Sequence, residues 1–146
     1  MRLTQFTDYA IRVLIHAALN EGQNSTVSAI ATGYGISRNH LLKVVKDLAK
    51  LGYIETTRGK HGGVRLARRA TDIRLGQLVM ETEGDMALVE CLGPNNRCPI
   101  TGKCGGTGVL EEALAAFIAT LDRYTLADIL QRQDPMRAVL GIRQQS

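Results

Sequence analysis

The stretch SAIATGYGISRNHLLKVVKDLAKLGYIETTRGKHGGVRLAR, residues 28–68, decides the fold. Ser28 or Thr26 starts a short helical segment, SAIATGY, which Gly35 breaks. Ser37 is a good N-cap for a longer helix from about Arg38 to Lys50, since a small hydroxyl there can accept from a first-turn N–H. In that helix Leu41, Val44, Val45 and Leu48 form one face at helical spacing, while Arg38, Asn39, His40, Lys43, Lys46 and Lys50 lie elsewhere. A short helix, a Gly-containing turn and a second amphipathic helix make a helix-turn-helix. Gly52 ends the second helix, and YIETTRG and GGVRLAR read as two short strands. Their connection, Arg58-Gly59-Lys60-His61-Gly62-Gly63, is small and basic. Two strands with such a tip, directly after the second helix, read as a wing: glycine lets backbone approach DNA closely, and Arg or Lys can enter a minor groove.

Upstream, Phe6, Tyr9, Ala10, Val13, Leu14 and Ala17 recur at helical spacing, with Thr4 or Thr7 as cap. Asp8 and Arg12 stand one turn apart, off this stripe, where they can pair. Downstream, residues 72–83 suggest a helix that packs Ile73, Leu75, Leu78 and Val79 back on the winged helix. A long helix follows Gly108 and runs to about Asp122, with Val109, Leu110, Ala113, Leu114, Phe117, Ile118 and Leu121 on one broad stripe. A small domain has little left to cover that stripe, so burial against the same helix of a second subunit is expected. YTLADIL (124–130) reads as a short helix folding back, and the tail after Pro135 as weakly ordered. The expected class is mainly α with a small β wing. Residues 1–83 form a winged helix-turn-helix, 84–106 a loop, and 107–146 a dimerisation helix and tail.

Charge separates the two halves. Residues 1–76 hold twelve Lys or Arg against five Asp or Glu, a net of +7; residues 77–146 hold six against nine, a net of −3. A basic half of this kind suits a polyanion, in the first place double-stranded DNA. The N-terminal turn of a recognition helix reaches base edges, so Arg38, Asn39 and His40 are the candidate readers, with Ser37 beside them as a further DNA contact. Lys43, Lys46, Arg58, Lys60, His61 and Arg65 are candidate contacts around them, with Arg68 and Arg69 as phosphate contacts or solvated charge. The 146 residues include no Trp and two Phe among 45% hydrophobic residues, so the core must be mostly aliphatic. No apolar run approaches membrane-spanning length and the first residues lack a signal-peptide pattern, so the chain is expected in the cytoplasm. Phosphate-binding loops, nucleophile–base sets and paired carboxylates are missing from the sequence, and no enzyme is expected.

The chain's three cysteines, Cys91, Cys98 and Cys104, are spaced C-x6-C-x5-C in the loop CLGPNNRCPITGKCGG. An odd number excludes complete internal pairing. Three thiolates on one loop suit a soft metal centre with a fourth position for another residue. Zinc competes, although its structural sites usually have paired CxxC-type ligands and four protein donors. The histidines, His16, His40 and His61, all lie away from the loop. Three unliganded thiols, one of them redox-active, are a further alternative.

LTQFTDYAIRVL (3–14), YGISRNHLLKVVKDLAKLGYIETTRGKHGGVRL (34–66) and the late three-cysteine loop together resemble the winged-helix iron–sulfur repressors, a family with IscR-, RirA- and NsrR-like branches. SRNHLLKVV and YTLADIL are most similar to the NsrR-like, nitric-oxide-responsive branch. The resemblance covers residues 1 to about 132. It implies a homodimer on an inverted-repeat operator, paired through Val109, Leu110, Leu114, Phe117, Ile118 and Leu121. It also implies one iron–sulfur cluster per subunit, [4Fe–4S] in preference to [2Fe–2S], held by Cys91, Cys98 and Cys104. IscR-like members place a His shortly after the third cysteine, where this chain has Thr107. NsrR-like members draw an Asp from the first helix of the other subunit, and Asp8 of the partner subunit matches that position. The implied signal is nitric oxide, with iron supply or oxidants as alternatives.

Overall fold

Helix α1 (Gln5–Leu19) occupies the centre of the fold. In the computed structural model, which describes residues 2–59 and 62–143, Thr4 caps this helix by accepting from the Thr7 N–H at 3.3 Å. Ala10, Val13, Leu14, Ala17 and Leu19 are buried, and so are the polar Thr7 and His16. That distribution exceeds a single stripe, and α1 accordingly packs against four other helices and one strand.

Helix α2 (Val27–Tyr34) starts at Thr26, whose hydroxyl accepts from the Ala29 N–H at 3.0 Å. It stops at Gly35, whose φ of +63° is a left-handed conformation that a Cβ disfavours. Helix α3 (Arg38–Lys50) buries Leu41, Val44, Val45 and Leu48, the face its spacing predicts. Ser37 precedes it as anticipated, but its hydroxyl makes no capping bond. Strands β1 (Ile54–Thr57) and β2 (Gly63–Leu66) pair antiparallel, with Glu55 opposite Arg65 and Thr56 opposite Val64. Lys60 and His61, expected at the wing tip, lie outside the described residues.

Val64 also exchanges backbone hydrogen bonds with Ser25, at 2.9 and 2.8 Å, which stitches the wing to the start of α2. Beneath this bridge the buried His16 Nδ1 lies 2.9 Å from Ser25 Oγ, and Asn20 donates to the same oxygen at 3.2 Å. Burial lowers the His16 pKa, so the ring favours its neutral form.

Helix α4 spans Leu75–Thr82, shorter than the 72–83 expected. Its first residues are taken by a 3-10 turn, Ala70–Asp72, and by Ile73, whose carbonyl accepts from Leu126 N at 2.8 Å. Ile73, Leu78 and Val79 are buried as expected. Arg68, read from the sequence as a phosphate contact or solvated charge, has part of its guanidinium engaged within the fold. Its guanidinium donates to the carbonyls of Leu51 and Gly52, each at 2.9 Å, and lies 4.6 Å over the Tyr53 ring. Arg68 thus closes the turn at which α3 ends.

Helix α5 (Gly106–Asp122) begins slightly before the expected start and ends where predicted. Its last residue reaches α4, where Asp122 Oδ1 accepts from the Gln77 N–H at 2.9 Å and Arg74 donates to the Asp122 carbonyl at 2.8 Å. Gly76 permits this approach, since a Cβ there would overlap the Asp122 carboxylate. Helix α6 (Leu126–Ile129) is fixed by a capping box in which Thr125 donates to Asp128 from both its N–H and its hydroxyl at 2.7 Å.

The tail departs from its expectation of weak order. Residues Gln133–Leu140 form helix α7, and Pro135 falls in its first turn, where a missing N–H costs no internal hydrogen bond. Met136, Leu140 and Ile142 pack on the core, and Arg137 Nε donates to the Leu19 carbonyl at 2.9 Å, satisfying the end of α1. Among the described residues no helix is long and apolar enough to cross a membrane. The architecture is a mainly α winged helix-turn-helix with a long following helix.

Tyr53 donates to Glu81 Oε2 at 2.6 Å and so joins the base of the wing to α4. Burial alone would raise the Glu81 carboxyl, but hydrogen bonds from Tyr53 and Gln77 hold it below its ordinary value. A carboxylate lowered in the folded state stabilises above its unfolded pKa and loses that contribution as pH falls through the folded value. Tyr53→Phe should therefore cost about 1 kcal/mol at neutral pH in denaturant unfolding. The difference from the parent protein should shrink on acidification below about pH 4.5, the ordinary Glu81 value.

Candidate nucleic-acid interface and cysteine loop

Ser37, Arg38, Asn39, His40, Lys43 and Lys46 are all exposed on α3. Between the start of α2, the outer side of α3 and the wing lies a cleft of about 440 Å³. Ser28, Arg38, Leu42, Lys46, Thr56 and Thr57 are among its lining residues. Arg38 Nε donates to Ser28 Oγ at 3.3 Å, which steadies the guanidinium at the seam of the two helices. Lys43 lies elsewhere, lining a second cleft with Phe6, Asp47, Lys50 and Glu81. The two lysines thus flank the helix.

Arg58 is exposed at the start of the wing tip. Arg65 is committed differently from its reading as a contact residue: its guanidinium donates twice to Glu55 Oε2, at 2.9 and 2.6 Å. The strand register that sets Glu55 opposite Arg65 causes this, and it offsets the arginine's charge. Leu42, Thr56 and Thr57 were not among the residues singled out from the sequence. Only the pairing of α3 with the wing brings them to one cleft.

The cysteines occupy an irregular connection between α4 and α5. Cys91 lies in a 3-10 turn, Glu90–Leu92, and its Sγ stands 3.6 Å from Thr107 Oγ1. Cys98 N donates to Asn96 Oδ1 at 2.9 Å, and the Cys98 carbonyl accepts from the Thr101 hydroxyl at 2.9 Å. Cys104 Sγ accepts from the N–H of Gly106, the first residue of α5, at 3.3 Å. All three thiols are free; Cys91 and Cys98 are half-buried and Cys104 is exposed. Among the described residues no three His, Cys, Asp or Glu side chains are gathered where they could hold a metal ion. The loop supplies soft donors and keeps them reachable, but it does not assemble them within one chain.

Asp8 is held by Arg12, with an N–O distance of 2.8 Å and a second contact at 3.1 Å. The Arg12 guanidinium also lies 5.9 Å from the Tyr9 ring centre and 5.6 Å from that of Tyr34, the last residue of α2. Burial pushes the Tyr34 hydroxyl up to about 12, partly offset by Arg12. The start of α1 is tied to the end of α4. Thr7 donates to the Thr82 hydroxyl at 2.9 Å, and Glu83 accepts from the Thr4 N–H and hydroxyl at 2.8 and 3.0 Å. Glu83 directly precedes the connection that carries the cysteines.

No residue of α5 is fully buried. Leu110, Leu114, Phe117, Ile118 and Leu121 are half-covered, while Val109 is 66% exposed. The stripe expected to pair with a second subunit therefore retains apolar surface that this chain leaves uncovered.

Comparison with known proteins agrees with this architecture. Residues 3–132 match the Rrf2 family, described as iron-dependent transcriptional regulators. The chain is 46% identical over 143 residues to the HTH-type transcriptional regulator NsrR of Bacillus licheniformis, a match covering 97% of this chain and 100% of that protein. It is 45% identical over 146 residues to NsrR of Bacillus subtilis, covering 99% of this chain and 100% of that one. Among solved structures, T. potens IscR has a TM-score of 0.74 at 22% identity, covering 100% of this chain and 94% of that chain. CymR, the global cysteine regulator of B. subtilis, has a TM-score of 0.71 at 22% identity, covering 88% and 95%.

The exposure of the thiols generates a measurable order. In metal-free protein treated briefly with iodoacetamide, Cys104 should be alkylated before Cys91 and Cys98, read by peptide mass spectrometry. Equal rates at all three positions would contradict the loop arrangement.

Proposed function

The chain belongs to the Rrf2 family of transcriptional regulators, and we propose that it is a homodimeric DNA-binding repressor whose iron–sulfur cluster senses nitric oxide. The observation that carries the DNA-binding part is the exposed N-terminal turn of α3, set between α2 and the wing. Arg38, Asn39 and His40 project from that turn as base readers, with Arg suited to guanine and Asn to adenine. Ser37, Lys43, Lys46, Arg58, Lys60 and His61 supply surrounding backbone contacts. Arg65, which holds Glu55 through Nε and Nη2, would add a contact through its remaining Nη1. Pairing of α5 with its copy, through Val109 and its neighbours, would cover the remaining apolar stripe and set two α3 helices for an inverted repeat.

The donor set fits an iron–sulfur cluster: three free, accessible thiols on one irregular connection, one already accepting a backbone N–H. Cys91, Cys98 and Cys104 would hold it, with Asp8 of the partner subunit as the fourth donor. [4Fe–4S] is preferred and [2Fe–2S] is the alternative. When bound, the cluster would supply iron able to bind nitric oxide, and Asp8 of the partner subunit, a harder and more weakly held ligand than a thiolate, would mark the point of entry. Asp8 engaged in this way gives up at least one of its two contacts to Arg12, which keeps its contacts to Tyr9 and Tyr34. Asp8 returned to Arg12 frees the cysteine connection from the other subunit's α1. The Thr7–Thr82 and Thr4–Glu83 contacts relate that connection to the placement of α1 and hence of α3. A switch of this kind needs a difference in DNA affinity of about 1–3 kcal/mol between the two states.

Several measurements test the reading. Anaerobically purified protein should be brown, and band shifts should show strong binding with the cluster and weak binding after its loss or nitric oxide treatment. Equal binding by all forms would remove the sensor claim, while loss only on iron depletion would indicate an iron-responsive regulator; colourless zinc-containing protein would indicate a structural metal. Asp8→Ala should reconstitute a cluster with altered spectrum and reactivity towards nitric oxide, and an unchanged one would leave Asp8 as a partner of Arg12 alone. Arg38→Ala should relax preference at one base position per half-site at a cost of about 1–3 kcal/mol. Lys46→Ala should weaken all sequences alike and lower the salt slope by about 1.

A further inference from the structure

Leu42 stands out on the solvent side of α3. Among the described residues of that helix, the other exposed side chains are Arg38, Asn39, His40, Lys43, Lys46 and Lys50. Leu42 is 40% exposed and takes no part in the core, whose α3 face is complete with Leu41, Val44, Val45 and Leu48. It lies four residues after Arg38 and four before Lys46, so the three side chains run in line along the helix. That line borders the cleft shared with Thr56 and Thr57 of the wing. An isolated exposed leucine needs no explanation by itself. A leucine flanked by two cations, on the side that faces a concave basic cleft, presents an aliphatic group where the ligand is a polyanion.

The largest apolar group on the major-groove edges of DNA is the C5-methyl of thymine. Resting on the DNA-binding reading above, we propose that Leu42 is a specificity-determining residue that packs on a thymine methyl in each operator half-site. Arg38 and Lys46, one turn to either side, hold the helix against the duplex by base and phosphate contacts. Burying a methyl there adds sequence preference without a hydrogen bond. The same two cations would oppose a basic protein surface at this place, and they favour a nucleic acid.

The test removes single methyls. An operator is first selected from random duplexes with the purified, cluster-loaded dimer, and each thymine in turn is then replaced by deoxyuridine, which lacks only the methyl. Binding is read by fluorescence anisotropy. Replacement at one position per half-site should weaken binding roughly three- to tenfold, the worth of one buried methyl. Leu42→Ala should bind the parent operator more weakly and be indifferent to that replacement. Leu42→Met should fold alike and keep the sensitivity. If operator binding is intact but no deoxyuridine position matters, or if Leu42→Ala remains as sensitive as the parent, Leu42 serves only to pack against the wing and the proposal fails alone. Failure of the dimer to select any duplex overturns this proposal together with the DNA-binding reading.

Discussion

Burial of helix α1 is the constraint on which the remaining structure depends. Its apolar residues exceed a single face, so the helix must be surrounded rather than laid on a surface. Helices α2 and α3 and strand β2 cover part of it, and α4 and α7 cover the rest. The helix-turn-helix with its wing and the elements that lead to the cysteines therefore share one packed helix. Interiors are close-packed and repack in discrete steps, so a displacement at one end of α1 is felt at its other contacts. The polar groups on α1 extend this role. His16 meets Ser25 beneath the wing, Thr7 meets Thr82 at the end of α4, and the end of α1 is satisfied by Arg137.

Arg12 illustrates how few contacts are needed to relate two regions. It binds Asp8 on one side and lies over Tyr34, next to the turn that starts α3, on the other. Exchange of one carboxylate partner would redirect the guanidinium, and the aromatic contacts, worth about 1 kcal/mol at partly exposed sites, give it somewhere to remain. Coupling of a few kcal/mol is sufficient for a regulator, because a DNA-binding equilibrium needs only a modest bias to change occupancy.

The long helix α5 is anchored at one end and open along its side. Asp122 caps α4 and Arg74 holds the Asp122 carbonyl, while the apolar stripe from Val109 to Leu121 is only half-covered. This fold buries α1 on several sides and leaves no residue of α5 fully buried. Covering α1 takes precedence, since its buried face is the larger, and α5 is left to a second copy in the proposed assembly. The N-terminal end of α5 lies beside Cys104, so the partly uncovered helix and the cysteine connection meet at one place.

Local rules make much of this architecture legible in the amino-acid order. Leu41, Val44, Val45 and Leu48 announce the α3 core face, Gly35 the break before it, and Thr4 or Thr7 the cap of α1, of which Thr4 serves, because periodicity, left-handed backbone and first-turn N–H groups act within a few residues. The tail misleads for the same reason: Pro135 signals irregularity unless its first-turn position is known, and the contacts that order α7 are made to Leu19 and the core, more than a hundred residues away. Arg68 and Arg65 likewise read as free positive charge, since nothing nearby in sequence names the Leu51 and Gly52 carbonyls or Glu55 as partners. Residue order is thus enough for the helical pattern, the basic reading half, and three thiols on one connection. Folding in three dimensions was needed to settle which cations stay available to a ligand, that Leu42 faces the cleft with the wing threonines, and that the cysteine connection hangs from the end of α4 beside α1. The reason is that helix and turn signals are set by neighbours in the chain. The partner of a charge, or the surface left uncovered, is set by whatever the folded chain brings alongside.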